Sequence, residues 1–275
     1  MGAAILAGVL DSCAKTQETG AEPRITKFIA CVNSIGSAKE LKSRFKKYDD
    51  RLTVLQADNV TGMKEADIVM LGCKPYMAEK VLTASGVREA LEGKLVISVL
   101  VGSPVDNLQK FVFGENYAFS KQKCFMVRAM LNIAAEFSES MTVIEIADIP
   151  DDLLELTNWI FLQLGKTSPV VPDLFDIAGV MAGPSGAFLS VALDGILDGA
   201  VSQGLKRAQA RTMLTQSLVG LAKLLEEGNT GDMLREKVSS PRGTTIEGLL
   251  SLEEDRVRHA FSKAVIKSNH KSQTM

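Results

Sequence analysis

The order of apolar and polar positions divides this chain into two unlike parts. Over the first two-thirds, short apolar runs of strand character alternate with stretches of helical period. ITKFIACV (25–32) and RLTVLQ (51–56) predict strands, with a helix at SAKELKSRF (37–45) between them. ADIVMLGC (66–73) is almost continuously apolar, the pattern of a strand buried on both faces. A helix over MAEKVLTASGVREAL (77–91) follows, then strands at KLVISVLV (94–101), CFMVRAM (124–130) and MTVIEI (141–146). Strands separated by helices of this length form βαβ units, so the fold class is α/β with a mostly parallel sheet.

The pattern changes after the proline-flanked SPVVPD (168–173). SGAFLSVALDGILDGAVSQG (185–204) predicts an apolar helix, and ARTMLTQSLVGLAKLLEEG (210–228) predicts another, apolar at 213, 214, 218, 221, 224 and 225. Consecutive helices with no strand between them predict an all-α second domain. The expected division is 1–172 for the sheet domain and 173–275 for the helical one. Asp194 and Asp198 lie inside the first of these helices and argue against a membrane span. Gly195 and Gly199 permit close helix approach, so a subunit interface is the expected setting.

Composition narrows the function. A net charge of −2 gives no electrostatic reason to expect nucleic acid or an anionic membrane as partner. Cys13, Cys31, Cys73 and Cys124 are scattered without CxxC spacing, and the two histidines, His259 and His270, stand near the carboxy terminus. No metal site is expected from that arrangement. A reducing compartment, the cytoplasm, is the better setting. Asp194 and Asp198, one helical turn apart, lack a third ligand.

A dinucleotide fold opens with a strand, a glycine-rich turn and a helix whose N-terminus receives the pyrophosphate. This chain opens on Met1-Gly2 and passes directly into AAILAGVL. Two readings stand. Residues 1–11 are an amphipathic helix unrelated to any fingerprint, or Gly2 is the last glycine of one whose strand is absent. In the second case the neighbours of that central strand should carry unpaired backbone.

VSSPRGTTIEGL (238–249), MAGPSGAF (181–188), LGCKP (71–75) and VRAMLNIAAEFSESMT (127–142) together resemble the pyrroline-5-carboxylate reductase family, its fungal branch most of all. The similarity runs over essentially the whole chain, and the loop at 238–249 is its most specific part. It implies a Rossmann-like domain lacking its first strand and most of its glycine-rich loop, followed by a helical dimerisation domain. It also implies NADPH-dependent reduction of a cyclic imine carboxylate to proline, by a homodimer or a higher homo-oligomer.

Such a reduction needs a hydride donor, a hydrogen-bond donor at the ring nitrogen and an anion site. Free N–H groups at a helix start bind a carboxylate without a cationic side chain, and Thr244-Thr245 predict such a start. By the resemblance, Thr245 bonds the ring nitrogen, with Ser239, Ser240, Gly243 and Thr244 shaping the carboxylate cradle; Arg242 beside it is a further substrate-binding candidate, either adding a charge-assisted contact or crowding the pocket. A purely structural reading stands beside it, in which Thr244 and Glu247 form a capping box.

For the cofactor, the resemblance points to Gly2, to Asn59 at the adenosine ribose, and to Lys74 and Pro75 on the nicotinamide side. Asn33-Ser34 follow the first strand, where an NAD enzyme carries an acid. No acid stands there, which favours NADPH and leaves NADH open. Lys74 also reads as a solvent lysine before a loop proline.

The chain departs from the family at Leu131, which replaces a proline, at Pro184-Ser185, which reorder a small-residue turn, and at Arg242, which replaces a glycine in many members. These departures keep two alternatives in view: reduction of a different cyclic imine, and a non-catalytic dimeric relative with a broken cofactor site.

Overall fold

A computed structural model describes residues 1–115, 117 and 123–274. They form two compact units, Met1–Gly183 joined by the residues from Asn269 onward, and Pro184–Ser268.

The first unit runs α1 (Gly2–Glu18), β1 (Phe28–Val32), α2 (Ile35–Arg44), β2 (Leu52–Gln56), α3 (Asn59–Glu65), β3 (Ile68–Leu71), α4 (Ala78–Leu82), α5 (Val87–Leu91), β4 (Leu95–Ser98) and α6 (Val105–Phe113). It continues through β5 (Phe125–Met130), β6 (Ser140–Glu145), α7 (Asp151–Leu162), β7 (Gly165–Val170) and α8 (Phe175–Ala182). The strands make two sheets: β1 pairs with β2, and the other five lie in the order β3-β4-β5-β6-β7. Every pairing is parallel except β5 with β6.

The break between β1 and β3 falls at the place of the first strand in the doubly wound order. Helices nevertheless span it on both faces. On one face α1 buries Leu10 with Phe45 and Tyr48, against Phe28 and Leu52, and buries Ile5, Val9 and Cys13 with Leu95, Ile97 and Val127. On the other face Gly62 of α3 lies against the side chains of Ile29, Cys31 and Leu55, while Met63 joins Val69 and Leu71. A Cβ at position 62 would collide with the Cys31 sulfur, so this close approach requires glycine.

One expectation is corrected. The helix expected over 77–91 is two short helices: α4 ends at Leu82 with Thr83 as its cap, and Gly86, at the left-handed φ +86, opens α5. The proline-flanked segment at 168–173 is in part strand: β7 pairs with β6 through Val170. Pro169 is tolerated there because β7 is the outer strand. Its missing N–H lies on the open side, since the neighbouring Val170 carbonyl is the one that accepts from Ile146.

The second unit holds α9 (Ser185–Ser202), α10 (Arg207–Glu226), α11 (Gly231–Val238), α12 (Thr244–Glu254) and most of α13 (Val257–Gln273), with no strand among its described residues. Of its residues Ala210 alone is a buried hydrophobe.

Candidate active site

In the first unit, each residue predicted to meet a dinucleotide stands at the carboxyl end of a strand or at a helix start. Asn33 and Ser34 follow β1, and Ser34 caps α2, its Oγ accepting from the Ser37 N–H at 3.1 Å. Asn59 is the first residue of α3, whose cap is Asp58, accepting from the Thr61 N–H at 3.1 Å. Lys74 and Pro75 leave β3 through Gly72 and Cys73, with Lys74 exposed and Pro75 opening a short 3-10 turn. Gly2 starts α1, and a Cβ on Gly72 would stand 3.8 Å from the Gly2 Cα, so the helix start abuts the end of β3. The first backbone bonds of α1 are donated by Ala4 and Ile5, both to Met1. The N–H groups of Gly2 and Ala3 therefore remain available to an anion.

These six residues thus lie on one rim of the parallel sheets, where open α/β sheets take ligands. Two have structural duties as well, since Ser34 caps a helix and Asn59 begins one. Burial pushes the Cys73 thiol up, and burial with the Asp58 charge does the same at Cys31, so neither is a ready thiolate.

In the second unit the predicted substrate residues form one turn. The Gly243 N–H donates to the Ser240 carbonyl at 2.9 Å, with Pro241 second in the turn and Arg242 third at φ +59. That is the pattern of a type II turn, whose third position favours glycine. Gly243 is the N-cap of α12 and Thr244 its first helical residue. The capping box expected from Thr244 and Glu247 does not form, because Thr244 lies one place inside the helix and no side chain caps it. The first backbone bond onto the turn comes from the Glu247 N–H, so those of Thr244, Thr245 and Ile246 have no backbone partner. The Ser239 Oγ is buried with no hydrogen-bond partner. Thr245 is half-buried and Arg242 exposed.

Sequence reasoning missed three features. Arg128 and Glu145 form a buried ion pair, their side chains 11% and 9% exposed, with the guanidinium 4.3 Å from the Phe175 ring centre. The Asn132 side chain accepts from the Ala134 N–H at 2.9 Å and donates to the Ala182 carbonyl at 2.8 Å, tying the end of β5 to that of α8. A narrow crevice at the ends of β4 and β5 is lined by Val99, Gly102, Met130, Phe175, Asp176 and Ser272. Only the last had a local signal, the Gly-Ser-Pro after KLVISVLV. Leu131 is buried among Ala129, Ala135 and Ile144. Asp198 pairs with Arg207, and His259 is exposed.

Residues 172–275 match the family described as pyrroline-5-carboxylate reductase dimerisation, and residues 1–102 match one described as NADP oxidoreductase coenzyme F420-dependent. The pyrroline-5-carboxylate reductase of Lophium arboricola is 39% identical over 96% of this chain and 87% of its own. That of Neurospora crassa is 39% identical with the same coverage. The enzyme of Schizosaccharomyces pombe is 30% identical over 96% of this chain and 92% of its own. Among solved structures, the Streptococcus pyogenes 1-pyrroline-5-carboxylate reductase superposes with a TM-score of 0.77 at 23% identity, over 99% of this chain and 94% of that one. The Plasmodium falciparum pyrroline carboxylate reductase with NADP bound gives 0.75 at 22% identity, over 90% and 97%. With identity of this extent to curated relatives along nearly its whole length, the chain belongs to the pyrroline-5-carboxylate reductase family.

Proposed function

We propose that this chain reduces the C=N bond of 1-pyrroline-5-carboxylate to give proline, using NADPH. The observation that carries the reading is the turn at 239–245, where three unpartnered helix N–H groups and several hydroxyls converge on one helix start. Such a start holds a carboxylate through backbone dipoles alone. Thr245 donates its hydroxyl proton in a hydrogen bond to the ring nitrogen, which becomes more basic as the double bond is lost. Ser239 supports the carboxylate cradle with a hydroxyl that has no protein partner.

The strand-end rim suits a dinucleotide: the free N–H groups of Gly2 and Ala3 take phosphate, Asn59 and Asn33-Ser34 take the adenosine side, and Lys74 and Pro75 line the nicotinamide side. When bound, NADPH supplies the hydride. The absence of an acid at Asn33-Ser34 favours a 2′-phosphate over a bare ribose. Residues 1–172 carry this role, and residues 173–275 carry the substrate turn and a homodimer interface. The cytoplasm is the setting that four free cysteines favour.

A second reading is favoured by Arg242, an exposed cation held in a left-handed turn position beside the cradle. It suits a different cyclic imine bearing another anionic group.

Thr245→Ala tests the main reading. Turnover should fall by about ten- to a thousandfold, the scale of one positioned donor, while NADPH affinity holds. An unchanged turnover number removes Thr245 from the chemistry.

A further inference from the structure

The carboxyl end of β5 is fastened to α8 at two points. One is Asn132, whose side chain has a single workable orientation, because the Ala134 N–H requires an acceptor and the Ala182 carbonyl a donor. The amide oxygen accepts from the first at 2.9 Å, and the amide nitrogen donates to the second at 2.8 Å. The Asn132 N–H donates in turn to the Ser140 Oγ at 3.2 Å, which adds the start of β6. The other point is Met130, seated in a notch of α8 between Gly179 and Gly183. A Cβ on Gly179 would stand 2.5 Å from the Met130 sulfur, and one on Gly183 would stand 3.2 Å from its terminal methyl. The seat exists because both positions lack a side chain.

Met130 also forms part of the crevice at the ends of β4 and β5, with Val99, Gly102 and Phe175. The Val99 N–H donates to the Leu71 carbonyl at 3.2 Å, so the crevice adjoins the end of β3, where Lys74 and Pro75 leave the sheet. In the sheet order β3-β4-β5 it lies one to two strand widths from those residues, on the order of 5–10 Å. Asp176 and Ser272 are the polar side chains that line it, and the Ser272 Oγ donates to the Asp176 carboxylate at 3.3 Å. An otherwise apolar crevice of this kind suits the edge of a flat ring.

We propose that Asn132 is a positioning residue for the reduction. By tying the end of β5 to α8 it keeps Met130 in its notch, and Met130 in turn sets the width of the crevice that takes the nicotinamide edge. The inference rests on the reductase reading and on its assignment of Lys74 and Pro75 to the nicotinamide side. The amide oxygen and one amide N–H of Asn132 are engaged by backbone, so its effect reaches the ring through Met130. Residues of similar size do not replace it. Aspartate would set a carboxylate against the Ala182 carbonyl, and leucine would leave both backbone groups without their partner.

Two variants of the full chain disturb this arrangement by different chemistry. Asn132→Asp keeps the shape and the bond from Ala134 but loses the donor to Ala182. Gly179→Ala leaves Asn132 intact and pushes the flexible end of Met130 from its seat. Each is compared with the native chain by imine turnover, by the methyl NMR resonance of Met130, and by titration with NADPH and with 2′,5′-ADP, which carries the adenosine end alone. In both variants the methyl resonance should move and the turnover number should fall by about ten- to a hundredfold, the scale of a misplacement of about 1 Å. NADPH should bind about tenfold more weakly. Affinity for 2′,5′-ADP and KM for the imine should stay within about threefold of native, with helical circular dichroism unchanged.

A loss confined to stability would lower the melting temperature and weaken both ligands alike, and that result overturns the proposal. So does native turnover in a variant whose Met130 resonance has moved, since the crevice would then tolerate the change. A resonance that stays in place in Asn132→Asp overturns it too. The reductase reading fails separately: a native chain that binds NADPH yet reduces no pyrroline carboxylate removes the substrate, and the contrast between NADPH and 2′,5′-ADP still decides the role of Asn132.

Discussion

At the scale of single residues, the substrate turn holds a local conflict. Arg242 sits at φ +59, where an L side chain costs roughly 1–2 kcal/mol. Glycine would remove that cost and add about 0.5–1 kcal/mol of unfolded-chain entropy. Arg242→Gly should therefore stabilise the protein by about 0.5–1 kcal/mol, read as a rise of a few degrees in melting temperature. On the proposed reading, in which backbone N–H groups hold the carboxylate, KM for the imine should change by less than about tenfold. A larger rise would make the guanidinium the principal anion ligand. Asp11 offers a pH test. Burial raises its carboxyl pKa, but hydrogen bonds from the Tyr48 hydroxyl and from Lys47 Nζ at 2.9 Å outweigh this and hold it below the ordinary carboxylate range. A folded value below the unfolded one gives stability that is present above about pH 4 and lost as pH falls through the folded value. Between pH 6 and pH 3 the melting temperature should fall more steeply for the native protein than for Asp11→Asn. Parallel curves would show that the carboxylate adds nothing to the packing of α1.

At the scale of elements, β5, β6 and α8 are joined by the Arg128–Glu145 pair and the Phe175 ring above it. Removing one partner strands the other charge in the core, so Arg128→Ala should cost about 3–5 kcal/mol in urea unfolding. Replacing both with leucine should recover most of that loss, because two desolvated charges are exchanged for apolar contact. A double variant as unstable as the single one would mean that packing around the guanidinium, not its charge, is what matters. None of this was legible in the sequence, since nothing local couples position 128 to 145 or 175. The strands were legible because β3 and β4 are apolar on both faces, a pattern that helical covering imposes. β7 was not, because Ser-Pro-Val-Val-Pro carries loop chemistry that an outer strand tolerates. The continuous helix expected over 77–91 breaks between Leu82 and Val87, where Gly86 takes a left-handed turn against the apolar period on either side. The substrate turn was readable as a helix start. Its capping assignment was one residue off, because a type II turn places Gly243, not Thr244, at the cap.

At the scale of the whole molecule, the helices of the second unit carry far more apolar surface than a solvated unit sustains. Leu189, Val191, Ile196, Met213 and Val219 are each at least half exposed. The stretch Pro172–Ser202 is long and apolar enough to cross a membrane by length and composition alone, yet Asp194 and Asp198 interrupt it. A second copy of the chain is the covering partner consistent with the dimerisation match over 172–275. Leu189 and Ile196 are two helical turns apart on one face of α9. Leu189→Asp with Ile196→Asp would place two charges within that covering, where neither finds a partner. Light scattering should then give the mass of a single chain at concentrations where the native protein gives a multiple of it, with helical circular dichroism retained. Since the strand-end rim lies in the other unit, NADPH binding should persist while turnover falls. A variant that keeps the native mass would exclude this face of α9 from the interface and leave its apolar surface in need of a different partner.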